Sequence, residues 1–490
     1  MRDKKPGSTI SISLHRKLKT KGPRDKLKPE NTRRLFGTDG IRGAAGQFPL
    51  DSQTVRVIGR SLATHLAERT GSDPRIVTGR DTRESGSRIE RDLIAGARAV
   101  GVEVQSAGII TTPGIAFLAR SLPADAGVVI SASHNPYQDN GIKVFDPSGR
   151  KLDEATERRI ERDIAEASGE NANDLTSDHA RDPTSNEKQT AELQSRYLNY
   201  LERNIARDLS LSGFTMVVDC ANGAAYRLAP ELFSRLGARV IAINSEPDGH
   251  NINRECGSLH MEGLQRRVVG ERADLGVAFD GDADRALFVD ASGDFVDGDA
   301  TMWVMANDLK SRGELTGDVV VATVMSNIGL EIALRSHGIE LRRADVGDKY
   351  VLEELIRSGA VMGGEQSGHI IFPRLSLAGD GMITTISLLR AMCNHNKTLG
   401  ELVDGFQRYP QVLVNVRVRE KRPFEELPAV QRLADEIEKQ LGSRGRLLLR
   451  YSGTESLARV MIEGENESEV KSQANALAEV IRAELGSGQS

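Results

Sequence analysis

Three short stretches carry residue types that could do chemistry together. The first is Ser131-Ala132-Ser133-His134-Asn135-Pro136, directly after the apolar run Val128-Val129-Ile130. Such a run reads as a buried strand in a sheet covered on both faces, and Pro136 biases Asn135 away from helix. A rigid turn at the carboxyl end of a strand is expected, which is where α/β sheets place their ligands. Ser133 would present a hydroxyl there beside the imidazole of His134, a candidate covalent centre. An ordinary polar turn is the plainer reading of these six residues alone.

The second stretch is Asp280-Gly281-Asp282-Ala283-Asp284-Arg285, after the apolar run Leu275–Phe279. Carboxylates at i, i+2 and i+4 converge on one hard cation if the backbone is extended. Without a cation, charges that close would repel strongly in a low dielectric. The spacing opens like an EF-hand loop, but Arg285 stands where that loop needs glycine. A Mg²⁺ ion held by a few carboxylates, with phosphate or water completing its shell, fits better. The alternative is an acidic hairpin turn, which Asp-Gly favours. The third stretch, Leu35-Phe36-Gly37-Thr38-Asp39-Gly40-Ile41-Arg42-Gly43, combines glycines with Arg42. It reads as a phosphate loop, with backbone N–H groups approaching closely and the guanidinium forking onto phosphate.

Further loops could supply recognition. Gly363-Gly364-Glu365-Gln366-Ser367-Gly368-His369 offers Glu365 and Ser367 to vicinal hydroxyls or an amine, though it could equally be a structural turn. Arg450, Ser452, Gly453, Thr454 and Arg459 could form an anion cradle, with a hairpin turn as the alternative. Arg80 and Arg83 read more simply as surface charges or internal ion-pair partners. The polar loop Pro247–Ser258 has little packing value, and its richness suggests function more than structure.

The elements that must position these loops alternate strand and helix, which predicts an α/β protein. Helices are expected over 51–69, 87–100, from Gly149 to about Ala167, around Tyr197–Leu201, to about Leu236, over 330–335, from Val346, through Met392, over Pro428–Leu441 and at the C-terminal end. Strands are expected at 76–77, 102–105, 128–130, 216–219, 275–279, 319–324, 412–418, 447–449 and 458–462. Ser168–Gln189, polar and without apolar periodicity, reads as a surface loop or linker. The expected layout is a basic arm over 1–33, α/β domains over 34–187, 188–296 and 297–409, and a smaller α+β domain over 410–490.

Composition bounds the partners. The chain has 490 residues, 39% hydrophobic and 28% charged, with a formal net charge of −5. This is a globular composition with no call for nucleic acid as the main partner, and no apolar run approaches a membrane span. Cys220, Cys256 and Cys393 lie far apart, so neither a disulfide framework nor a zinc site is indicated and a reducing cytoplasm fits best. The first 28 residues carry ten Lys/Arg against two Asp/Glu and read as a solvated basic tail.

Phosphoryl transfer needs in-line positioning, a metal against the developing charge and a cationic clamp. A serine is a weak nucleophile that needs such a supporting cast. A separate phosphate cradle makes sense if the substrate carries a phosphate that does not react. With FGTDGIRG, GRDTRESG, SASHNP, DNGIK, PDGHNINRECGS, DGDADR, VGDKYV, GGEQSGH and SGTES all present, the chain from about Leu35 to Glu484 resembles the α-D-phosphohexomutase superfamily. The NINRECGS and GGEQSGH stretches tilt it toward the branch acting on amino sugars.

That resemblance implies four domains around a central cleft and an isomerase. Ser133 would carry the phosphate, with Asp280, Asp282, Asp284 and a phosphoserine oxygen holding Mg²⁺. Arg42, His134, Lys143 and Arg285 would line the transfer site, with Asp348 and Lys349 near it. Glu365 and Ser367 would read sugar hydroxyls, and Arg450, Ser452, Gly453, Thr454 and Arg459 would clamp the idle phosphate. Glucosamine 1,6-bisphosphate would be intermediate and activator, and the product would feed cell-wall precursor synthesis. No nucleic acid or membrane partner is implied, and a homodimer is left open. Activity on glucose or mannose phosphates is the nearest alternative; a metal-dependent sugar phosphatase or a non-catalytic phosphosugar-binding regulator would be different classes. Ser456 replaces the family's usual proline in the last loop, which should loosen it.

Overall fold

The computed structural model describes residues 34–71, 73–167, 186–452 and 455–486. The basic arm, residues 168–185 of the expected linker, and Gly453 and Thr454 of the cradle lie outside the described residues. Asn186 caps a helix, so the last linker residues, Glu187–Gln189, are helical rather than loop.

Four sheets follow one another along the chain. The first contains β1 (Phe36–Gly37), β2 (Gly40–Ala44), β3 (Arg75–Arg80), β4 (Glu103–Ile109), β5 (Ala126–Ile130) and β6 (Asp139–Phe145), in the order β1-β2-β6-β5-β3-β4. β3 runs parallel to β4 and β5, joined through α2 (Gly86–Arg98) and α3 (Thr112–Ser121), while β6 returns antiparallel to β5. Every residue of β5 is buried, as a strand covered on both faces must be. Helices α1 (Ser52–Thr70) and α4 (Glu154–Ala167) complete this unit.

The second sheet follows α5 (Glu187–Tyr200). It holds β7 (Thr215–Asp219), β8 (Arg239–Ile243), β9 (Leu275–Phe279), β10 (Ala286–Asp290) and β11 (Phe295–Val296), with α6 (Leu228–Arg235) and α7 (Glu262–Glu271). β7 is parallel to β8 and β9, but β10 turns back antiparallel on β9. The third unit has α8 (Gly298–Ser311), β12 (Val319–Thr323), α9 (Ile328–Ser336), β13 (Glu340–Ala344), α10 (Asp348–Ser358), β14 (Gly363–Gly364), β15 (Ile370–Ile371), α11 (Gly381–His395) and α12 (Leu399–Val403). The fourth is an antiparallel sheet of β16 (Gln411–Arg417), β17 (Arg446–Tyr451) and β18 (Leu457–Glu463), in the order β16-β18-β17, with α13 (Pro428–Leu441) and α14 (Glu467–Leu485).

Burial divides the molecule unevenly. One continuous apolar core runs through the first three units, from Val77 and Phe145 to Phe279, Trp303 and Leu389. The fourth unit has its own core around Val460, Ile462, Leu477 and Ile481. A buried polar joint connects it to the third. Asn327 donates to Glu463 Oε1 (3.3 Å), Arg446 donates to the Ser326 carbonyl (3.1 Å), and Arg446 pairs with Glu463 (2.7 Å).

Candidate active site

Ser133 follows β5 on a turn whose backbone it takes into the left-handed region (φ 52°). For a serine this conformation needs outside support, and two side chains from different units provide it. Arg83, fully buried and paired with Asp81 at 2.9 Å, donates to the carbonyls of Ser133 (2.9 Å), Asn135 (2.8 Å) and Pro136. Asn253 of the Pro247–Ser258 loop donates to the Ser133 and Asn135 carbonyls (2.9 and 3.1 Å). Arg83 is therefore an internal partner, and that loop scaffolds the turn.

The three aspartates sit in the hairpin between β9 and β10, where Phe279 pairs with Ala286. Their convergence comes from a tight turn with Ala283 at φ 56°, and not from the extended backbone the spacing suggested. The hairpin and the metal-type cluster are the same object. One oxygen from each of Asp280, Asp282 and Asp284 lies within 4.8 Å of the others, all buried. Ser133 donates from Oγ to Asp280 Oδ2 at 2.5 Å, and His134 Nδ1 stands 3.2 Å from the same hydroxyl. Gly281 allows this contact, because a Cβ there would meet the Ser133 carbonyl at 2.5 Å.

Charge around the triad is finely divided. Burial, with Asp284 and Asp282 alongside, pushes Asp280 well above the usual carboxylate range. Burial works the same way on Asp284, but Lys143, His369 and Arg285 hold it well below that range. Lys143 Nζ lies 2.8 Å from Asp282 Oδ2, 3.1 Å from Asp39 Oδ2 and 3.5 Å from Asp284 Oδ2. Its burial disfavours the cation, yet these carboxylates raise it well above an ordinary lysine. His134 is drawn down to about 4 by burial and by Arg285 and Arg42, so it is neutral near pH 7. Asp282 Oδ1 and Asp284 Oδ1 are buried without a hydrogen-bond partner. Hard oxygen donors left without a hydrogen bond at this spacing fit a Mg²⁺ ion.

Arg42 lies on β2, pairs with Asp39 and donates to Asn135 Oδ1 at 3.3 Å. The glycine loop that carries it is a β1–β2 hairpin, in which Gly40 (φ 85°) packs on the Ile142 carbonyl. Arg42, His134 and Arg285 line a cleft of about 440 Å³ with Gly347, Asp348, Glu365 and His369. Glu365 accepts from the Gly347 N–H (3.2 Å) and from Ser367 Oγ (3.1 Å), in the β14–β15 hairpin. Asp348 pairs with Lys151, and its Oδ1 also accepts from the Lys349 N–H (2.8 Å).

Among the described residues, none of the fourth unit lines this cleft. Arg450 and Arg459 instead face each other as direct partners on β17 and β18. Ser452 Oγ accepts from the Glu455 N–H at 3.2 Å. Like charges directly opposite destabilise a sheet; burial and Arg459 together lower the Arg450 pKa.

Several site residues escaped the sequence reading. Asp39 and His369 stand inside quoted motifs, where flanking glycines drew the attention. Asp284 holds His369 up at about 9 against the burial that would lower it, from 3.6 Å away. Thr112, which donates to Asp282 Oδ2 at 2.6 Å, and Lys151 have no local signal at all.

Comparison with known proteins gives the family. The chain matches the phosphoglucomutase/phosphomannomutase domains: alpha/beta/alpha domain I over 33–171, domain II over 195–293, domain III over 297–409 and the C-terminal domain over 413–480. It is 50% identical over 452 residues to a phosphoglucosamine mutase of Solibacter usitatus, covering 92% of this chain and 99% of that one. A phosphoglucosamine mutase of Anaeromyxobacter sp. (strain Fw109-5) is 47% identical over 93% of this chain and 96% of its own. Among solved structures, a phosphoglucomutase/phosphomannomutase family protein from Burkholderia thailandensis superposes with a TM-score of 0.73 at 25% identity, covering 92% of this chain and 97% of that one. The Aspergillus fumigatus N-acetylphosphoglucosamine mutase, solved with GlcNAc-6P and magnesium, shares the fold at a TM-score of 0.62 and 18% identity, over 92% and 95% of the two chains. With matched domains along most of its length and near-complete relatives at up to this identity, the chain belongs to the phosphoglucomutase/phosphomannomutase family, on its phosphoglucosamine mutase branch.

Proposed function

We propose that this chain interconverts glucosamine 6-phosphate and glucosamine 1-phosphate through a phosphorylated Ser133. The observation that carries the reading is Ser133 Oγ, 2.5 Å from Asp280 and facing a triad with two buried carboxylate oxygens that accept no hydrogen bond. Asp280, Asp282, Asp284 and a phosphoserine oxygen would hold Mg²⁺, which when bound supplies positive charge against the transferring phosphoryl oxygens.

The sugar O1 attacks phosphorus, a P–O1 bond forms and the P–Oγ bond to Ser133 breaks, giving the 1,6-bisphosphate. The O1 proton passes to the basic groups of the cleft, and Ser133 Oγ regains a proton. His134, neutral and 3.2 Å away by Nδ1, is placed to relay it, first taking up the O1 proton and then passing it to Oγ. After the bisphosphate reorients, Ser133 Oγ takes the phosphoryl from O6 by the reverse bond changes. Arg42, Arg285 and Lys143 supply the cationic clamp throughout. Glu365 and Ser367 read the sugar, Asp348 and Lys349 border it, and Arg450, Ser452, Gly453, Thr454 and Arg459 take the idle phosphate. Ser133 is only 2% exposed, which disfavours release of its phosphate to bulk water and hence the phosphatase alternative.

Glucosamine 1,6-bisphosphate would prime the enzyme, and the cytoplasm, where sugar phosphates are made, is the proposed setting. Among the described residues no helix is long and apolar enough to cross a membrane. Turnover of glucosamine 6-phosphate against glucose 6-phosphate, with Mg²⁺ and a hexose 1,6-bisphosphate, tests the assignment. Faster turnover of the amino sugar supports it; preference for glucose moves the chain to the neighbouring activity. Ser133→Ala should abolish turnover while substrate binding changes by less than about threefold. Retained activity in that variant sinks the phosphoserine mechanism.

A further inference from the structure

Two connections between units meet at one carboxylate beside the turn that presents Glu365 and Ser367. Asp297 stands where β11 of the second unit passes into α8 of the third. Arg408 stands in the segment 404–410, which leads from α12 of the third unit into β16 of the fourth. Its Nη1 lies 3.1 Å from Asp297 Oδ2, with Asp297 buried and Arg408 half exposed. The same oxygen accepts from the Gln366 side-chain amide at 3.3 Å. The other, Oδ1, accepts from the Ala300 N–H at 3.0 Å and caps α8.

Gln366 lies between Glu365 and Ser367, and its backbone is held at the same place as its side chain. The Gln366 carbonyl accepts from the Gly298 N–H at 2.9 Å. Gly298 comes so close that a Cβ there would meet the Glu365 carbonyl at 2.1 Å. The connection that carries Arg408 is fixed as well. Asn327 donates to the Tyr409 carbonyl (2.9 Å) and accepts from its N–H (3.0 Å). The Asn327 N–H in turn donates to Asp299 in the first turn of α8 (2.8 Å). Arg408 is therefore delivered to Asp297 by a pinned stretch of backbone. It is the cationic partner of that buried carboxylate among the ion pairs of the described residues. Removing it would leave the charge uncompensated and Gln366 with a shifting anchor.

We propose that Asp297 and Arg408 are a positioning pair for sugar binding: through one carboxylate, the connection into the fourth unit holds the turn that offers Glu365 and Ser367 to the sugar. Neither residue of the pair lines the cleft. The proposal rests on the reading of Glu365 and Ser367 as sugar contacts.

Titration calorimetry on the full chain tests this with two ligands, glucosamine 6-phosphate and glycerol 3-phosphate, a phosphate ester without the ring. Asp297→Asn keeps an oxygen to cap α8, but its amide cannot accept from Gln366 and Arg408. It should weaken the sugar phosphate about fivefold and leave glycerol 3-phosphate within about twofold, the scale of coupling through a chain of contacts. Arg408→Gln should weaken the sugar phosphate about threefold, again sparing glycerol 3-phosphate. Arg408→Lys should recover most of that loss, because the charge is kept. A general loss of structure would not tell the two ligands apart. Glu365→Gln should weaken the sugar phosphate too, and combined with Asp297→Asn it should cost less than the two losses together, since both act through one turn. Should Asp297→Asn not fold, Arg408→Gln carries the test alone and in combination. Unchanged sugar-phosphate affinity in the folded variant, equal losses for the two ligands, or fully additive losses with Glu365→Gln overturn the role of the pair. If Glu365→Gln leaves sugar-phosphate affinity unchanged, the reading of the turn falls and the proposal with it.

Discussion

At Ser133 the proposed nucleophile is defined less by its own chemistry than by who holds its carbonyl. Arg83 and Asn253 both donate there, and Gly281 leaves the space. Asn253→Ala should therefore cost about 1–2 kcal/mol, since it leaves part of a buried network unpaired. It should slow phosphoryl transfer by about tenfold, because small misplacements of a reacting atom are expensive. Chemical denaturation and single-turnover kinetics measure the two effects separately. Ser133, His134 and the aspartates were legible because their types and spacing are local. Asn253 was not, because its role depends on a hydrogen bond across 120 residues of chain.

At the scale of elements, most strands and helices followed from apolar periodicity. The helix over Pro428–Leu441 and the strand over Leu275–Phe279 match their expected limits. The helix α3 and the return strand β6 were not anticipated; β6 buries Lys143, a residue whose hydropathy argues against a core strand. Helix α11 shows how an element end can carry a titration. Asp380 caps it, accepting from the Met382 and Ile383 N–H groups, and also accepts from Tyr197 at 2.6 Å. Burial raises its pKa from 3.8 to about 6. The folded state thus holds this proton more tightly than the unfolded chain. The stability it contributes is full below about pH 4 and is lost as pH rises through about 6. Asp380→Asn keeps the cap and removes that loss. Relative to wild type it should gain about 1.4 kcal/mol in unfolding free energy between pH 5 and pH 8, read from denaturant midpoints. An equal pH response in the two proteins would refute the argument.

For the whole molecule, the division of the core matters most. One apolar core runs through the first three units, which also have separate clusters of their own, while the fourth takes no part in it and meets them through the joint of Asn327, Arg446 and Glu463. This favours movement of the fourth unit as a body, bringing Arg450 and Arg459 toward a cleft that its described residues do not line here. Their opposed charges are tolerable if an anion joins them. Arg450→Gln should stabilise the free protein by about 0.5 kcal/mol by relieving the cross-strand repulsion. It should also raise KM about tenfold, with a smaller change in kcat, as expected for a contact to a phosphate that does not react. Thermal unfolding and steady-state kinetics read the two arms.

Local information set the parts: a strand before each reactive loop, an acidic turn, glycine-flanked arginines and the motifs that mark the family. These depend on side-chain periodicity and turn chemistry between near neighbours, which the order of residues specifies directly. Tertiary structure alone decided that Ser133 meets Asp280 across 147 positions and that Thr112 meets Asp282 across 170. It also joined Asp39 to Lys151 across 112. Such meetings follow from which strands pair and which faces bury. A buried charge accepts whatever partner the packing brings within reach, and no local preference names that partner in advance.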